Sequence, residues 1–189
     1  MSLRVSAVIL AAGASKRMGK EKLTLPVRGT PMIEQVIRAC AHLTTLIVAS
    51  PQLLDVLPTA DNLEIIINDD ALLGMAHSLD LANRCVPRDH GLLVFLADKP
   101  LVTQALADEV LRHAQAGDAD VCFPERGGVG GHPVYFSPQA RALVRSLPDG
   151  DSLRVLRDEP SLRRVAFECD NEGAFVDIDD PGALERLSE

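Results

Sequence analysis

Ala7-Val-Ile-Leu-Ala-Ala-Gly-Ala-Ser-Lys-Arg-Met-Gly-Lys-Glu-Lys22 runs from an apolar strand directly into a small-residue loop that carries four cations, Lys16, Arg17, Lys20 and Lys22. This is the layout of a triphosphate cradle. Gly13 permits a tight turn that brings backbone N–H groups against a phosphate, and the cations that follow add charge that backbone dipoles alone do not supply.

Two better-known phosphate loops are excluded by spacing. A Walker loop places four residues between its glycines and follows them with Lys and a hydroxyl residue for magnesium. Here Gly13 and Gly19 are separated by five residues and Lys20 is followed by Glu21. A dinucleotide fingerprint needs three glycines at fixed offsets and an acid about 20 residues on, at the end of the second strand. The expected second strand, Leu46-Ile-Val-Ala-Ser50, runs into Ser-Pro instead.

Outward from this loop, the composition is that of one α/β unit. A chain of 189 residues with 47% hydrophobic content buries about 70% of its unfolded surface. Its core must be aliphatic, because there is no Trp, one Tyr and five Phe. The net charge of −8 excludes bulk attraction to nucleic acid or an anionic membrane as the basis of function. Against that acidic background, five of the 19 Lys and Arg residues fall between Lys16 and Arg28. Cys40, Cys85, Cys122 and Cys169 lie far apart, without metal-ligand spacing, and read as small buried residues in a reducing cytoplasm. The apolar stretch near the N-terminus is too short for a secretion signal or a membrane span.

Short apolar runs alternate with helical periodicity, which predicts a mostly parallel sheet covered by helices. Strands are expected at 5–11, 45–49, 63–67, 91–97 and 119–123, and the all-apolar Leu92-Leu-Val-Phe-Leu-Ala97 reads as a central strand buried on both faces. Helices are expected at 31–42, 75–85 and 103–116, the last from the cap Thr103 to the stop Gly117. Beyond residue 124 come Gly-rich turns, a strand at 133–136, a helix near 138–146, strands near 163–168 and 174–178, and a helix from Pro181. The nucleotide-binding part thus spans about 1–124 and an acceptor-side part about 125–189 of one domain.

Two acidic landmarks follow. Ala97-Asp98-Lys99-Pro100 sets a carboxylate at the carboxyl end of the central strand, where open α/β sheets bind ligands. Mg²⁺ takes one or two carboxylates plus phosphate oxygens there, so Asp98 is a metal candidate. In Val176-Asp-Ile-Asp-Asp-Pro181 the alternation would put Asp177 and Asp179 on one face of a strand, an arrangement that a cation relieves; Asp179 is the favoured ligand, Asp177 its support and Asp180 a helix cap.

The spacing Leu10-Ala-Ala-Gly-x-Ser-x-Arg-Met-Gly-x-x-Lys22 resembles the signature of the MobA-like nucleotidyltransferases, and among them most resembles the molybdenum cofactor cytidylyltransferases. The guanylyl branch reads Leu-Ala-Gly-Gly there, so Ala12 tilts the base toward cytidine. The Asp98 and Asp177–Asp179 segments, Asn68 with Gly74-Met-Ala-His-Ser-Leu79, Gly128-Val-Gly-Gly-His-Pro-Val134 and Asp149-Gly-Asp-Ser-Leu-Arg154 resemble further motifs of the family. Lys99, where the family has Met or Gln, and Ser152, where it has Gly, depart from them. Lys99 is expected to add a phosphate contact or to point to solvent.

The resemblance implies a single-domain, Rossmann-like, three-layer α/β fold with a mostly parallel, mixed sheet. It implies transfer of a nucleoside monophosphate from a triphosphate to a phosphorylated acceptor such as molybdopterin, with Mg²⁺ as cofactor, in the cytoplasm, with a molybdoenzyme as a further partner. It assigns Leu10, Ala11, Ala12, Gly13, Ser15, Arg17, Lys22, Asn68, Gly74, Ser78 and Asp98 to the nucleotide. Arg17 and Lys22 are the catalytic cations, and Asp98 and Asp179 hold metal. His132, on a loop in water, Asp151, Arg154 and Asp177 face the acceptor. Alternative readings are another acceptor, a sugar phosphate or lactyl phosphate, or a non-catalytic nucleotide-binding chaperone.

Overall fold

A computed structural model describes residues 3–13, 22–148, 150, 152–179 and 181–188. In chain order the elements are β1 (Val5–Ala11), β2 (Pro26–Val27), β3 (Thr30–Pro31), α1 (Met32–Ala39), β4 (Thr44–Ala49), β5 (Leu63–Ile67), α2 (Gly74–Cys85), β6 (Gly91–Leu96) and α3 (Gln104–Ala116). They continue with β7 (Val121–Arg126), β8 (Val129–Gly130), β9 (Val134–Phe136), α4 (Pro138–Ala142), α5 (Leu153–Arg157), β10 (Arg164–Glu168) and α6 (Pro181–Ser188).

The main sheet runs β10-β7-β9-β6-β1-β4-β5, with β8 paired to β7. β4, β1 and β6 are parallel neighbours, as are β7 and β10; β9 enters antiparallel between β6 and β7, which makes the sheet mixed. Strand order runs outward from β1 to β5, then returns across β1 to β6. The reversal leaves a crevice outside the carboxyl ends of β1 and β6, the switch point where such sheets bind ligands.

Burial on both faces explains why β1 and β6 are apolar without interruption. Ala7, Ile9 and Ala11 pack with Leu93 and Phe95 under α1 and α3. Val8, Leu10 and Ala12 pack with Leu92 and Val94 on the opposite side, beneath α2 and α4. Three layers result. Thr103 caps α3 by accepting from the Leu106 N–H at 3.3 Å, and Gly117 ends it.

Several expectations change. No strand forms at 174–178: a short 3₁₀ turn at Glu172–Ala174 leads into irregular chain that pairs with no strand and is held by single hydrogen bonds, from His132 N–H to the Ala174 carbonyl at 2.9 Å and from Ile178 N–H to the Asp98 carbonyl at 3.0 Å. The helix near 138–146 divides into α4 and a 3₁₀ turn. The loop expected at 128–134 is largely a hairpin, since β8 pairs with β7 and Gly131 N–H donates to the Pro124 carbonyl at 2.7 Å. Cys40, Cys122 and Cys169 are buried free thiols, whereas Cys85 is exposed at the end of α2. No helix among the described residues is long and apolar enough to cross a membrane.

Candidate active site

The chain leaving β1 and the chain leaving β6 emerge side by side, because Leu10 pairs with Leu96 in register and Ala97 N–H donates to the Leu10 carbonyl at 3.1 Å. They enclose a cavity of about 280 Å³. Leu10, Ala11, Ala12 and Gly13 form one wall, Gly74 and Ser78 from the start of α2 another, and Asp98, Lys22 and Asp179 the charged end. Small residues line the first wall, which leaves backbone groups open to a ligand.

Lys22 returns from the loop in a 3₁₀ turn, and its side chain is only 13% exposed. Its Nζ donates to Asp98 Oδ2 at 3.2 Å and to Asp179 Oδ1 at 2.8 Å. Burial alone would lower the pKa of this ammonium, but the hydrogen bond to Asp179 and the charges of Asp98 and Asp179 raise it above its ordinary value. Asp179 reaches the cluster because Ile178 is fully buried against Val27, Met32 and Ala183 and tied to the Asp98 carbonyl. Asp177, one residue before that anchor, is exposed and lines none of this cavity. The expected pairing of Asp177 with Asp179 fails because the segment is not a strand.

Lys99 neither faces solvent nor reaches the cavity. It is 7% exposed, and its Nζ donates to the Phe175 carbonyl at 2.9 Å. The departure from the family pattern therefore supports the segment that delivers Asp179. Asn68 also stands behind the site: its Nδ2 donates to Ser78 Oγ at 2.9 Å while its Oδ1 accepts from Asp70 N–H at 2.9 Å. It orients Ser78 and does not line the cavity. Gly74 has φ +88°, and a Cβ there would come within 2.9 Å of Gly150 Cα. Gly150 N–H in turn donates to the Leu73 carbonyl at 2.8 Å, which docks the acceptor-side loop on the start of α2. Ser15, Arg17, Asp151 and Asp180 lie outside the described residues.

Asp98 and Asp179 meet at one cation, Lys22, and line the same cavity; two such carboxylates would suit an Mg²⁺ ion that takes its other ligands from phosphate oxygens and water. The donor set fits that ion. Among the described residues no group of three or more His, Cys, Asp or Glu side chains forms a metal cage.

A second cavity, of about 400 Å³, adjoins the first through shared Met75 and Leu96. His132, Arg154 and Arg157 line it above Val134, Phe136 and Leu153. His132 is not a loop residue in water: its backbone N–H donates to the Ala174 carbonyl at 2.9 Å, and its Nδ1 is buried without a hydrogen-bond partner. Burial, then the charge of Lys99, drives its pKa down to about 3, so the ring is neutral near pH 7. Arg154 makes no ion pair among the described residues, and Ser152, the second departure from the family, lines the same cavity. Arg157 escaped the sequence reading; its signal is the i,i+3 spacing from Arg154 in Leu153-Arg-Val-Leu-Arg157, which puts both guanidiniums on one side of a helical turn.

A larger hollow of about 920 Å³ lies at the amino ends of the strands, between Arg4, Asp118, Tyr135 and Arg163. None of the motif residues lines it, and it is remote from the switch point, so the candidate site is the smaller pair of cavities.

Residues 7–165 match the MobA-like NTP transferase domain. The nicotine blue oxidoreductase of Paenarthrobacter nicotinovorans is 28% identical, with 97% of this chain and 96% of that protein covered. The molybdenum cofactor cytidylyltransferase of Escherichia coli is 26% identical over 98% of each. Relatives with different activities therefore match almost equally, and identity alone transfers neither activity. Among solved structures, a Mycobacterium tuberculosis protein in complex with manganese superposes with a TM-score of 0.77 at 20% identity, covering 97% of both chains. With the domain match spanning most of its length, this chain belongs to the MobA-like NTP transferase family, a family of nucleotidyltransferases with a Rossmann-like fold.

Proposed function

We propose that the protein transfers CMP from CTP to a small phosphorylated acceptor, molybdopterin in the first instance, and releases pyrophosphate. The observation that carries this reading is the meeting of Lys22, Asp98 and Asp179 beside the Ala12–Gly13 backbone at the switch point.

An oxygen of the acceptor phosphate attacks the α-phosphorus, forming the new P–O bond as the bond to the bridging oxygen breaks and pyrophosphate departs with that electron pair. The acceptor phosphate is already anionic, so no general base is needed, and a neutral His132 of depressed basicity accords with that. Backbone N–H groups near Gly13 cradle phosphate oxygens. Lys22, poised at the mouth of the cavity, exchanges a carboxylate for a phosphate oxygen and offsets charge on the leaving group, with Arg17 as its partner. Asp98 and Asp179 would hold Mg²⁺, which neutralises phosphate charge when bound. The product would pass to a molybdoenzyme, and the small residue Ala12 favours cytidine. The leading competitors remain a sugar phosphate or lactyl phosphate as acceptor and a non-catalytic chaperone.

Thermal unfolding with each of the four NTPs, with and without Mg²⁺, tests the nucleotide and the metal together. CTP at 100 times its dissociation constant adds about 2.7 kcal/mol of stability. A metal-dependent shift for CTP with pyrophosphate release supports the reading. A shift without turnover for every acceptor favours the chaperone, and no shift with any NTP removes the reading.

A further inference from the structure

The second cavity contains a guanidinium whose donors are divided. Arg157 Nε and Nη2 donate to Asp158 Oδ1 and Oδ2 at 3.0 and 3.1 Å, a bidentate pair that locks the fork. Its Cζ lies 5.0 Å from the Phe123 ring centroid, and its side chain is only 17% exposed. What remains is Nη1, directed at Gly130 so closely that a Cβ there would collide with it. Gly130 lines the cavity, so the glycine gives the guanidinium edge access to that space. A fixed, charged donor is thereby set at a pocket whose other walls are largely apolar, beside a histidine nitrogen that has no partner.

From this arrangement we infer that the second cavity seats the non-reacting body of the acceptor, and that Arg157 is its specificity-determining residue. The ligand class is a phosphate monoester whose largely apolar body carries a carbonyl or carboxylate oxygen for Arg157 Nη1. This rests on the nucleotide assignment of the adjoining cavity only in calling the ligand an acceptor. A sugar phosphate in its ring form offers Arg157 Nη1 only hydroxyl oxygens, weaker acceptors for a guanidinium than a carbonyl or a carboxylate, and is disfavoured on that ground. A guanidinium already paired to Asp158 on two donors has one edge left and little freedom to lose, so its contact costs little ordering entropy.

Equilibrium binding tests this without relying on turnover. Molybdopterin, a lactyl phosphate and a sugar phosphate are titrated into wild type, Arg157→Lys and Gly130→Ala, each with CTP binding measured alongside. Arg157→Lys keeps the charge and loses the fork; Gly130→Ala keeps the arginine and displaces its Nη1. The expected result is binding of molybdopterin or the lactyl phosphate but not the sugar phosphate, weakened tenfold or more in both variants while CTP affinity stays within twofold. Molybdopterin alone would identify a heterocyclic carbonyl as the partner oxygen, and the lactyl phosphate alone a carboxylate. Binding of none of the three, tighter binding of the sugar phosphate, or unchanged affinity in Gly130→Ala overturns the inference. If one variant does not fold, the other carries the same comparison. Failure of CTP to bind wild type would instead strike the reading of the first cavity, so the two failures are distinguishable.

Discussion

The two adjoining cavities are built in different ways. At the switch point the walls are strand ends and a helix start, held in register by parallel ladders, and the exposed groups are backbone and short side chains. Its charges answer one another, since Lys22 joins Asp98 to Asp179. In the second cavity the guanidiniums of Arg154 and Arg157 are carried by long side chains on the five-residue α5, and Arg157 is paired to Asp158. Groups that must align on phosphorus are set by rigid backbone, and groups that select a partner sit where substitution disturbs little else. Chemistry and selection are thus separable.

Arg141, the joint between the halves, offers the strongest way to break this comparison. It is 5% exposed on α4, and it donates to Asn83 Oδ1 and to the carbonyls of Asn83, Val86, Pro87 and His90, all at the end of α2 or just before β6. Arg141→Met strands these acceptors and is expected to cost about 3–5 kcal/mol by denaturant unfolding. Coincident loss of both cavities would show that separability ends at this joint.

Next in size is Lys22→Ala, expected to lower turnover by about 10²–10³ while leaving acceptor binding within twofold. Ordinary activity in that variant, measured by pyrophosphate release, would remove Lys22 from the chemistry.

His132 sharpens the contrast through pH. Its folded pKa, about 3, lies below the ordinary value of 6.5, so the unfolded chain binds the extra proton between them. Stability tied to the neutral ring is present above pH 6.5 and is lost as pH falls toward 3, with a slope of at most about 1.4 kcal/mol per pH unit. His132→Gln should flatten that limb of the melting-temperature profile; an identical acid slope in the variant counts against a buried neutral ring.

The smallest effect is expected at Lys99. Lys99→Met removes one hydrogen bond to the Phe175 carbonyl, a loss of about 1 kcal/mol, and loosens the approach of Asp179. CTP affinity with Mg²⁺ should fall severalfold and without Mg²⁺ stay unchanged. Lys99 also helps to depress His132, so the same variant should bring the folded pKa of that ring back toward 6.5 and make the stability lost on acidification smaller.

The strands and long helices were legible to within a few residues because each carries its own signal: unbroken apolar runs for β1 and β6, helical periodicity for α1 and α3, and Thr103 and Gly117 at the ends of α3. The segment at 174–178 misled because alternation describes a strand only where a neighbouring edge exists to pair with. Asn68, read as a nucleotide contact, is hydrogen-bonded to Ser78 and stands behind the cavity that Ser78 lines, a difference in depth that spacing does not encode.

By itself the sequence determined the layered α/β plan, the small residues at the exit of β1 and the carboxylate after β6, since apolar periodicity and local composition act over a few residues. The tertiary structure alone decided that Lys22 would grip an acid 157 positions away, that Lys99 would be buried, and that Arg157 would present one edge over Gly130. Those outcomes follow from packing between residues distant along the chain, where the burial of Ile178 or the absence of one Cβ selects which charges meet.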